Sequence, residues 1–399
     1  MRFGVRSGLA AFLTVTLTGV FVFLHIAVIA HIRFPIREPF MGGMEAHTRS
    51  LVDGLRARGH AVDLFASAES QDQSLHPVCD QAYEVVLPWE NWRGTERLAD
   101  YQRAAFATAR NRIAGGNYDV VHNNSLFPEL LEWLADDAMP CVTSQHVPPF
   151  AAMAASVRGV RHHDHARVTV TSQAQALTWA EADCDHVHPA ANGIDCGAWA
   201  PSNERSGRFV WSGRITPNKG TALAVAAAHR AGASLDLYGP IEDRTYFERE
   251  VAPLLDADRV WRGHASRTEL RRAVAAARGV LATPMWDEPF GLVAAEALAC
   301  GTPVLAFDRG ALAEVVGPCG IVVPPGDADA LAAAIAQADM IDRAECRARA
   351  EAVYSLDAMI GRYEEHYHAA IAGRPMLEPG YAARPASRSS CASTVALLA

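Results

Sequence analysis

The sequence predicts two α/β domains of the doubly wound, Rossmann-like kind, facing each other across a cleft. Short β-rich apolar runs alternate with amphipathic helical stretches, which indicates parallel sheets covered by helices on both faces. The alternation extends over most of 399 residues, a length that suits two domains. A turn signal at Asn192-Gly193, followed by a polar stretch up to Arg208, marks the boundary. Ligands of such folds bind outside the carboxyl ends of the strands, so we expect the site between the domains.

Composition excludes several classes of protein. The formal net charge is −9 and no long basic run occurs, so a nucleic-acid partner is not expected. Half of the residues are apolar, which is enough for sizeable cores. The eight cysteines form no CxxC pair, which argues against a zinc ribbon and against a disulfide scaffold. The expected location is the cytoplasm, with association to the inner face of the membrane left open.

The N-terminus supports several interpretations. Leu9–Ala30 is almost continuously apolar and follows two arginines. It can be an extension outside the native fold, a membrane anchor or a cleaved signal. His25–Ala30 also has the pattern of a buried parallel strand. We therefore assign residues 1–24 to an apolar extension or anchor; an anchor would favour a membrane-associated acceptor.

The first domain is assigned to residues 25–191. Its clearest helix has its apolar residues on one face and ends at Gly59 as a C-cap. The predicted helices are Met44–Arg58, Glu96–Ile113 and Pro128–Ala138. The predicted strands are His25–Ala30, Ala61–Ala66, Tyr83–Pro88, Asp119–His122, Cys141–His146 and Arg167–Thr171.

The second domain is assigned to residues 192–356 and repeats the pattern. A closing helix is assigned to residues 357–372, and the tail 373–399, rich in Pro, Gly, Ser and Ala, is expected to be disordered. The predicted strands are Phe209–Ser212, Ser234–Tyr238, Val260–Gly263, Val280–Thr283, Val304–Phe307 and Ile321–Val323. The predicted helices are Gly220–Arg230, Arg244–Leu255, Thr268–Ala277, Leu292–Ala299, Ala328–Ala338, Arg343–Ser355 and Asp357–Ile371.

The segment most typical of a ligand-binding site lies in the second domain, where a predicted strand ends before Glu288. Gly291 opens a helix and allows a ligand to approach the backbone closely. The free N–H groups of Leu292 and Val293 would face an anion at the positive end of the helix dipole. Glu296 lies one turn later on the same face and could accept hydrogen bonds from ribose hydroxyls. The alternative is an exposed helix with ordinary glutamates.

A second segment, Ser212-Gly-Arg-Ile-Thr-Pro-Asn-Lys-Gly220, carries Arg214 and Lys219 on either side of a proline turn that begins a helix. Two cations near a helix N-terminus would neutralise a diphosphate and stabilise it as a leaving group. Lys219 is the only lysine of the chain. Two explanations of this single occurrence are open. It can reflect codon bias, or this position can require a compact ammonium group. A solvated turn is the structural alternative.

A third segment places Gly42-Gly43 before the Met44–Arg58 helix. A glycine-rich turn at a helix N-terminus is an anion site. The third glycine of the GxGxxG fingerprint is missing, which makes an NAD-dependent oxidoreductase a distant alternative.

Histidines follow two of the predicted strands and occur once as a cluster. His146 ends a strand and should point into the cleft; His122, at a similar strand end, is a weaker candidate, and a purely structural role remains open for His146. The cluster of His162, His163 and His165 with Asp164 fits no standard zinc spacing, so no metal is expected there.

Taken together, Glu288-Pro-Phe-Gly291, Glu296 and the run Ala299-Cys-Gly-Thr-Pro303 resemble the retaining glycosyltransferases of family 4, which have the GT-B fold. The resemblance covers most of residues 25–371. It implies that Glu288 contacts the transferred sugar and that Glu296 holds the ribose of the donor. It also implies that Phe290, Gly291, Leu292 and Val293 present backbone amides to sugar and phosphate.

The resemblance extends to the other segments. It implies that Arg214 and Lys219 form the diphosphate clamp, that the Gly42-Gly43 loop closes over the donor, and that His146 contacts the sugar. Asn192-Gly-Ile-Asp195 matches the hinge motif of the family. In this fold the base is often read by backbone groups, here around Gly263 and His264, and no metal is needed because cations and helix dipoles hold the donor.

The leading hypothesis is transfer of a sugar from a nucleotide-sugar donor to a hydroxyl acceptor with retention of configuration. The donor is a co-substrate and no other cofactor is expected. No residue stands out as a nucleophile; the resemblance implies a front-face reaction in which the leaving phosphate helps to deprotonate the acceptor. The acceptor can be a lipid, a polysaccharide end or a small metabolite. Alternatives are a nucleotide-sugar epimerase on the same fold and a non-catalytic sugar-nucleotide sensor or membrane-tethered scaffold.

Overall fold

A computed structural model describes residues 23–374 of the chain, and the element bounds below refer to that part. The expectations for the N-terminal extension and for the C-terminal tail lie almost entirely outside the described residues.

The first sheet is parallel and has seven strands in the order β3-β2-β1-β4-β5-β6-β7. The central strand β1 is buried on both faces, because Ile26 and Val28 contact one helical layer and Ala27 and Ile29 contact the other. The strands are β1 His25–Ile29, β2 Ala61–Ser67, β3 Leu75–Cys79, β4 Val120–Asn123, β5 Cys141–Gln145, β6 Ala166–Val170 and β7 His188–Pro189.

Seven helices of the first half cover this sheet. The amphipathic helix α1 follows β1 and presents its apolar face, including Leu51 and Leu55, to the sheet. The helices are α1 Gly43–Ala57, α2 Tyr83–Val86, α3 Trp89–Trp92, α4 Glu96–Ala114, α5 Pro128–Asp136, α6 Ala151–Gly159 and α7 Gln173–Ala180.

The second sheet is also parallel, with six strands in the order β10-β9-β8-β11-β12-β13. Helices again cover both faces, and their apolar sides form two clusters with the strands. The strands are β8 Phe209–Ser212, β9 Leu235–Tyr238, β10 Arg259–Trp261, β11 Gly279–Ala282, β12 Val304–Phe307 and β13 Gly320–Val323. The helices are α8 Thr221–Arg230, α9 Arg244–Tyr246, α10 Arg267–Ala276, α11 Leu292–Ala299, α12 Leu312–Val316, α13 Ala328–Ala336, α14 Arg343–Val353 and α15 Leu356–Ile371.

Two sequence predictions are wrong at the level of elements. The segment Tyr83–Pro88 is not a strand: it begins with the short helix α2, because the amides of Tyr83 and Glu84 bond to the loop after β1 rather than to a strand. The sequence analysis missed two short edge strands, β3 and β7, and β3 contains Pro77. Proline lacks a ladder donor and is tolerated here because β3 is the edge of the sheet.

The helix predicted over Arg244–Leu255 is also wrong in detail. It begins as α9, continues as a π-helical segment Phe247–Val251 and ends as a 3-10 turn Ala252–Leu254. Pro253 has no N–H for a regular helix, which accounts for the change of geometry.

The last helix returns to the first domain. The side chains of Met359, Ile360, Tyr363 and Tyr367 are buried in the core under α1. Gly54 of α1 lets this helix approach, since a Cβ there would lie 2.8 Å from Cγ1 of Ile360. The chain therefore crosses between the domains twice, and α15 completes the first core.

The two crossings are bonded to each other. The amide of Ile194 donates to the carbonyl of Tyr354 at 2.7 Å, and the amide of Leu356 donates to the carbonyl of Ile194 at 2.9 Å. Gly193 lies against Leu356 and Met359, where a Cβ would meet atoms at 2.7 to 2.8 Å. This junction includes the predicted hinge motif.

Two further findings concern the described residues only. None of the helices within residues 23–374 combines the length and the apolarity that a membrane span requires. The seven cysteines in that range are all free thiols.

We expect Ile360→Ala to lower the free energy of unfolding by about 2–4 kcal/mol, because it opens a cavity between α15 and α1. Urea denaturation followed by tryptophan fluorescence measures this. The control Ile371→Ala changes a residue on the same helix that is 37% exposed, and should stay within about 0.5 kcal/mol of the wild type. Equal effects of the two variants would contradict the assignment of α15 to the first core.

Candidate active site

The carboxyl ends of both sheets face one cleft, and direct contacts join its walls. The hydroxyls of Thr171 and Ser172 donate to the carbonyl of Pro289 at 3.0 and 2.7 Å. The carboxylate of Glu314 accepts from the first two amides of α7, those of Gln173 and Ala174, both at 3.0 Å. The loop before α11 is thereby held against the first domain.

Lys219 and Glu288 lie together on the second-domain wall. The Nζ atom of Lys219 donates to Oε2 of Glu288 at 2.6 Å, and Nε1 of Trp286 donates to the same oxygen at 3.0 Å. The ammonium group also lies 5.1 Å from the centre of the Trp286 ring. Both members of the ion pair are less than one quarter exposed, so the pair is poorly screened by solvent.

Backbone contacts bring these two segments together. The amide of Met285 donates to the carbonyl of Asn218 at 2.8 Å, and the Thr283 hydroxyl reaches the carbonyls of Lys219 and Gly220. Gly220 has a φ of +64°, and a Cβ on it would lie 2.1 Å from the carbonyl oxygen of Thr283. Only glycine fits this contact.

The start of α11 has the geometry expected of an anion site. Gly291 is its N-cap in the left-handed region, with a φ of +91°, and no side chain caps the helix. The side chain of Phe290 is buried against Tyr354 and anchors the loop. The first-turn residues Leu292 and Val293 are partly exposed at this end. Their amides are orphan donors of a helix N-terminus.

Glu296 lies one turn further along α11, near Arg267 and Arg271. Burial raises the pKa of its carboxyl to about 7, and the two arginines oppose that rise. Arg267 also approaches the first domain, 4.0 Å from the carboxylate of Glu38 and over the ring of Phe40.

Arg214 lies at the carboxyl end of β8 and is already paired. Its Nη1 donates to Oε2 of Glu242 at 2.6 Å, and Oε1 of Glu242 accepts from Nη2 of Arg33 at 3.0 Å. Arg33 belongs to the first domain, so this carboxylate links both walls. Lys219 and Arg214 thus each face a carboxylate of the protein itself.

The Gly42-Gly43 turn lies directly opposite α11. A Cβ on Gly43 would lie 2.9 Å from Cδ1 of Leu292, so the glycine allows close approach of the two helix starts. The carboxyl of Glu45 occupies this turn: its residue is 4% exposed, a Cβ on Gly42 would lie 3.1 Å from its Oε2, and burial raises its pKa. The predicted anion site of α1 therefore holds a side chain of its own helix.

His146 lies beside the same turn. Its Nε2 is 3.2 Å from Oδ1 of Asn124, and its ring centre is 4.4 Å from that of His47. Burial lowers the pKa of His146 to about 4, which keeps the imidazole neutral at pH 7. His47 is 3% exposed, and neither ring nitrogen has a hydrogen-bond partner among the described residues.

His122 does not reach the cleft. It is fully buried, with Nδ1 2.7 Å from the hydroxyl of Tyr367 and Nε2 3.1 Å from Oδ1 of Asn124. It belongs to the seam between β4 and α15.

Gly263 and His264 lie at the end of β10. Gly263 has a φ of +87°, and its carbonyl accepts from the amide of Gly239 at 2.9 Å. The Nε2 of the exposed His264 lies 3.1 Å from the carbonyl oxygen of Phe40 in the first domain. This loop is therefore another contact between the walls.

The histidine cluster near residue 163 is arranged differently. Within residues 23–374 there is no group of three or more His, Cys, Asp or Glu residues placed to hold a metal ion. His165 instead bonds through Nδ1 to the carbonyl of Ala370 at 2.7 Å.

Three residues of the site were missed by sequence reasoning, namely Glu45, His47 and Glu242. The first two follow the glycine pair at intervals that place them within the first two turns of α1, so their proximity could have been inferred. Glu242 follows β9, a strand end to which the sequence analysis gave no chemistry. Its role depends on Arg33, which is 209 positions away in the chain.

Two facing α/β domains with this cleft define the GT-B class of glycosyltransferase. Comparison with known proteins agrees. The model described as Glycosyltransferase Family 4 matches residues 41–197, and that described as Glycosyl transferases group 1 matches residues 206–338. The chain is 30% identical over 371 residues to the D-inositol 3-phosphate glycosyltransferase of Mycobacterium marinum, covering 80% of this chain and 78% of that one. The chain belongs to the group 1, family 4 glycosyltransferases and is an enzyme of that kind.

Solved structures share the fold. Sucrose-phosphate synthase from Thermosynechococcus elongatus is 22% identical, with a TM-score of 0.72 over 88% of this chain and 99% of that chain. HepE from Anabaena, in complex with UDP-glucose, is 19% identical with a TM-score of 0.64, over 87% of this chain and all of that chain. The two-domain GT-B fold predicted from the sequence is confirmed.

The raised pKa of Glu296 predicts that nucleoside binding depends on pH near neutrality. If its carboxylate accepts ribose hydroxyls, binding requires the ionised form, so affinity rises as the pH is raised through about 7. We expect the affinity for an uncharged nucleoside to fall about tenfold between pH ~8 and pH ~6. Calorimetric titration at several pH values measures it.

Glu296→Gln is the matched control, because it keeps the shape of the side chain and removes the titration. Its affinity should be independent of pH over the same range. A wild type and a variant with the same pH profile would refute the role of Glu296 in holding ribose.

Proposed function

We propose that the protein transfers a sugar from a nucleoside-diphosphate sugar to a hydroxyl acceptor, with retention of anomeric configuration. The observation that carries the proposal is the convergence at one cleft of two cations, Arg214 and Lys219, with the uncapped start of α11. Such groups stabilise the negative charge that develops on a departing diphosphate.

The second-domain wall suits the remaining parts of the donor. The carboxyl of Glu296 lies one helical turn from the amides of Leu292 and Val293, which matches the separation of ribose and phosphate in a nucleotide. Glu288 lies beside Lys219, so a sugar attached to the diphosphate would meet its carboxylate. HepE, which shares the fold, binds UDP-glucose, and this supports a donor of that class.

Retention is proposed from the environment of Glu288 and from the family resemblance. One carboxylate oxygen of Glu288 already accepts from Lys219 and from Trp286, which suits a group that orients the sugar better than a nucleophile. His146, kept neutral by burial, has a ring N–H and a lone pair with which to hold sugar hydroxyls. The leaving phosphate would then take the acceptor proton on the front face.

The acceptor side is the first-domain wall, around His146 and Glu45. The Mycobacterium marinum relative is named a D-inositol 3-phosphate glycosyltransferase. We propose that the acceptor of this chain is a hydroxyl compound. Assays with soluble and with lipid acceptors would show whether the enzyme acts at a membrane. No metal is proposed, because arginine, lysine and a helix dipole supply the positive charge.

Thermal unfolding of the full-length protein with UDP, GDP, ADP and dTDP in turn tests the donor site. Preferential binding to the folded state raises the Tm. We expect one nucleotide to give a clear shift that Lys219→Ala abolishes. The control Arg230→Ala removes a 48% exposed cation at the far end of α8 and should leave the shift unchanged.

Turnover tests the chemistry. With the nucleotide sugar so identified, Lys219→Ala and Glu296→Ala should each lower kcat/KM by about 10²–10³ without unfolding the protein. Near-normal turnover in both variants would refute the site. Epimerised or hydrolysed donor without transfer to any acceptor would refute the transferase.

A further inference from the structure

We propose that Glu242 is a positioning residue that sets the affinity of the cleft for diphosphates. In the free enzyme its carboxylate accepts hydrogen bonds from Arg214 and from Arg33, and so connects Arg214 to the first domain. The inference rests on the proposed function, because it concerns the same cation that would bind the donor.

The carboxylate of Glu242 is divided between two guanidinium groups. Oε2 accepts from Nη1 of Arg214 at 2.6 Å, and Oε1 accepts from Nη2 of Arg33 at 3.0 Å. The side chains of Glu242 and Arg214 are both 31% exposed, so a ligand entering the cleft can reach the pair. Both bonds are charge-assisted, and such bonds are stronger than neutral ones.

The backbone places Glu242 at Arg214. The segment that carries Glu242 runs parallel to the segment that carries Arg214, with a bridge between Ile241 and Ile215. The amide of Ile215 donates to the carbonyl of Pro240 at 2.9 Å, and the amide of Asp243 donates to the carbonyl of Ile215 at 3.2 Å. The backbone pairing therefore brings Arg214 and Glu242 to the same end of the sheet, where their side chains meet.

The first domain holds Arg33 just as firmly. Its Nε donates to Oε2 of Glu84 at 2.7 Å, and its guanidinium lies 4.9 and 5.7 Å from the ring centres of Phe34 and Trp89. Only 17% of the side chain is exposed. Arg33 is thus a fixed point of the first domain to which Glu242 connects the second.

A diphosphate and Glu242 compete for the same donors. Arg214 binds a phosphate best with two parallel N–H groups, and one of them, Nη1, is bonded to Glu242 in the free enzyme. A diphosphate must displace this bond or accept a carboxylate as a close neighbour of like charge. The buried carboxyl of Glu45 lies close to both arginines and adds to this acidic surrounding. Each effect lowers the affinity for the donor and eases release of the product nucleotide.

Glu242→Gln tests the inference, because glutamine keeps the size of the side chain and removes its charge. Isothermal titration with the nucleoside diphosphate that stabilises the wild type, and with inorganic pyrophosphate, should give a Kd three- to tenfold lower than in the wild type. The KM of the sugar donor should fall by a similar factor. The affinity for the corresponding uncharged nucleoside should not change, because the effect acts on phosphate alone.

Glu84→Gln is the matched control. It removes the other carboxylate of Arg33 without touching Arg214, so the diphosphate Kd should stay within twofold of the wild type. A Glu242→Gln variant with an unchanged or higher Kd overturns the inference while the donor site stands. An equal gain in Glu84→Gln, or an equal gain for the nucleoside, overturns it too, because the effect would then be general. Failure of every diphosphate to bind the wild type and the variant refutes the donor site itself, and the inference with it.

Discussion

The bonded pair of chain crossings is the constraint on which the cleft depends. The chain passes from the first domain to the second near Ile194 and returns at Ser355, and the two passages share backbone hydrogen bonds. Because α15 then packs under α1, the first domain cannot complete its core without the end of the chain. The internal packing of each parallel sheet does not fix the orientation of its carboxyl end relative to the other sheet. The junction gives them that orientation, and every contact across the cleft follows from it.

Within this frame the positive groups of the cleft are paired with carboxylates of the protein. Lys219 faces Glu288, Arg214 faces Glu242, and the first turn of α1 holds Glu45. Unpaired cations in a partly buried cleft would repel one another and leave donors unsatisfied, so internal carboxylates stabilise the free enzyme. Under the proposed function, the same carboxylates would compete with an anionic ligand. The N-cap of α11 is Gly291, so no side chain of the N-cap residue caps the N-terminal amides of this helix. We regard it as the point at which a phosphate first gains binding energy.

The neutral histidines of the first-domain wall complement this arrangement. His146 and His47 lie ring against ring, and burial lowers the pKa of both. Two protonated imidazoles at that distance would repel each other, so the pair presents uncharged donors and acceptors. Under the proposed function, these groups would hold a sugar or an acceptor hydroxyl, and the charge of the diphosphate would be met on the opposite wall. The division of labour between the walls is therefore electrostatic.

Sequence reasoning determined much of this. Parallel strands buried on both faces leave continuous apolar runs, and eleven of the thirteen strands in the described part of the chain, with most long helices, could be read from those runs and their periodicity. The segments Glu288–Gly291 and Gly213–Gly220 could also be selected from the sequence as candidate binding segments. A glycine before a helix and cations near its start are features of the local sequence. The failures lie where local pattern and tertiary context disagree. Pro77 interrupts the apolar run of the edge strand β3. The apolar run from Tyr83 forms the short helix α2, because its amides bond to the loop after β1.

What only the tertiary structure decided is which charged groups meet. Arg33 and Glu242 have ordinary local surroundings in the sequence, and their shared bond arises from the packing of two domains. The return of α15 to the first core is a further example, since its amphipathic pattern shows that it must pack but not where. Periodicity and glycine placement are local properties that each segment carries by itself. The partner of an ion pair, or of a returning helix, is set by the relative position of distant segments, which is defined only once both sheets are assembled.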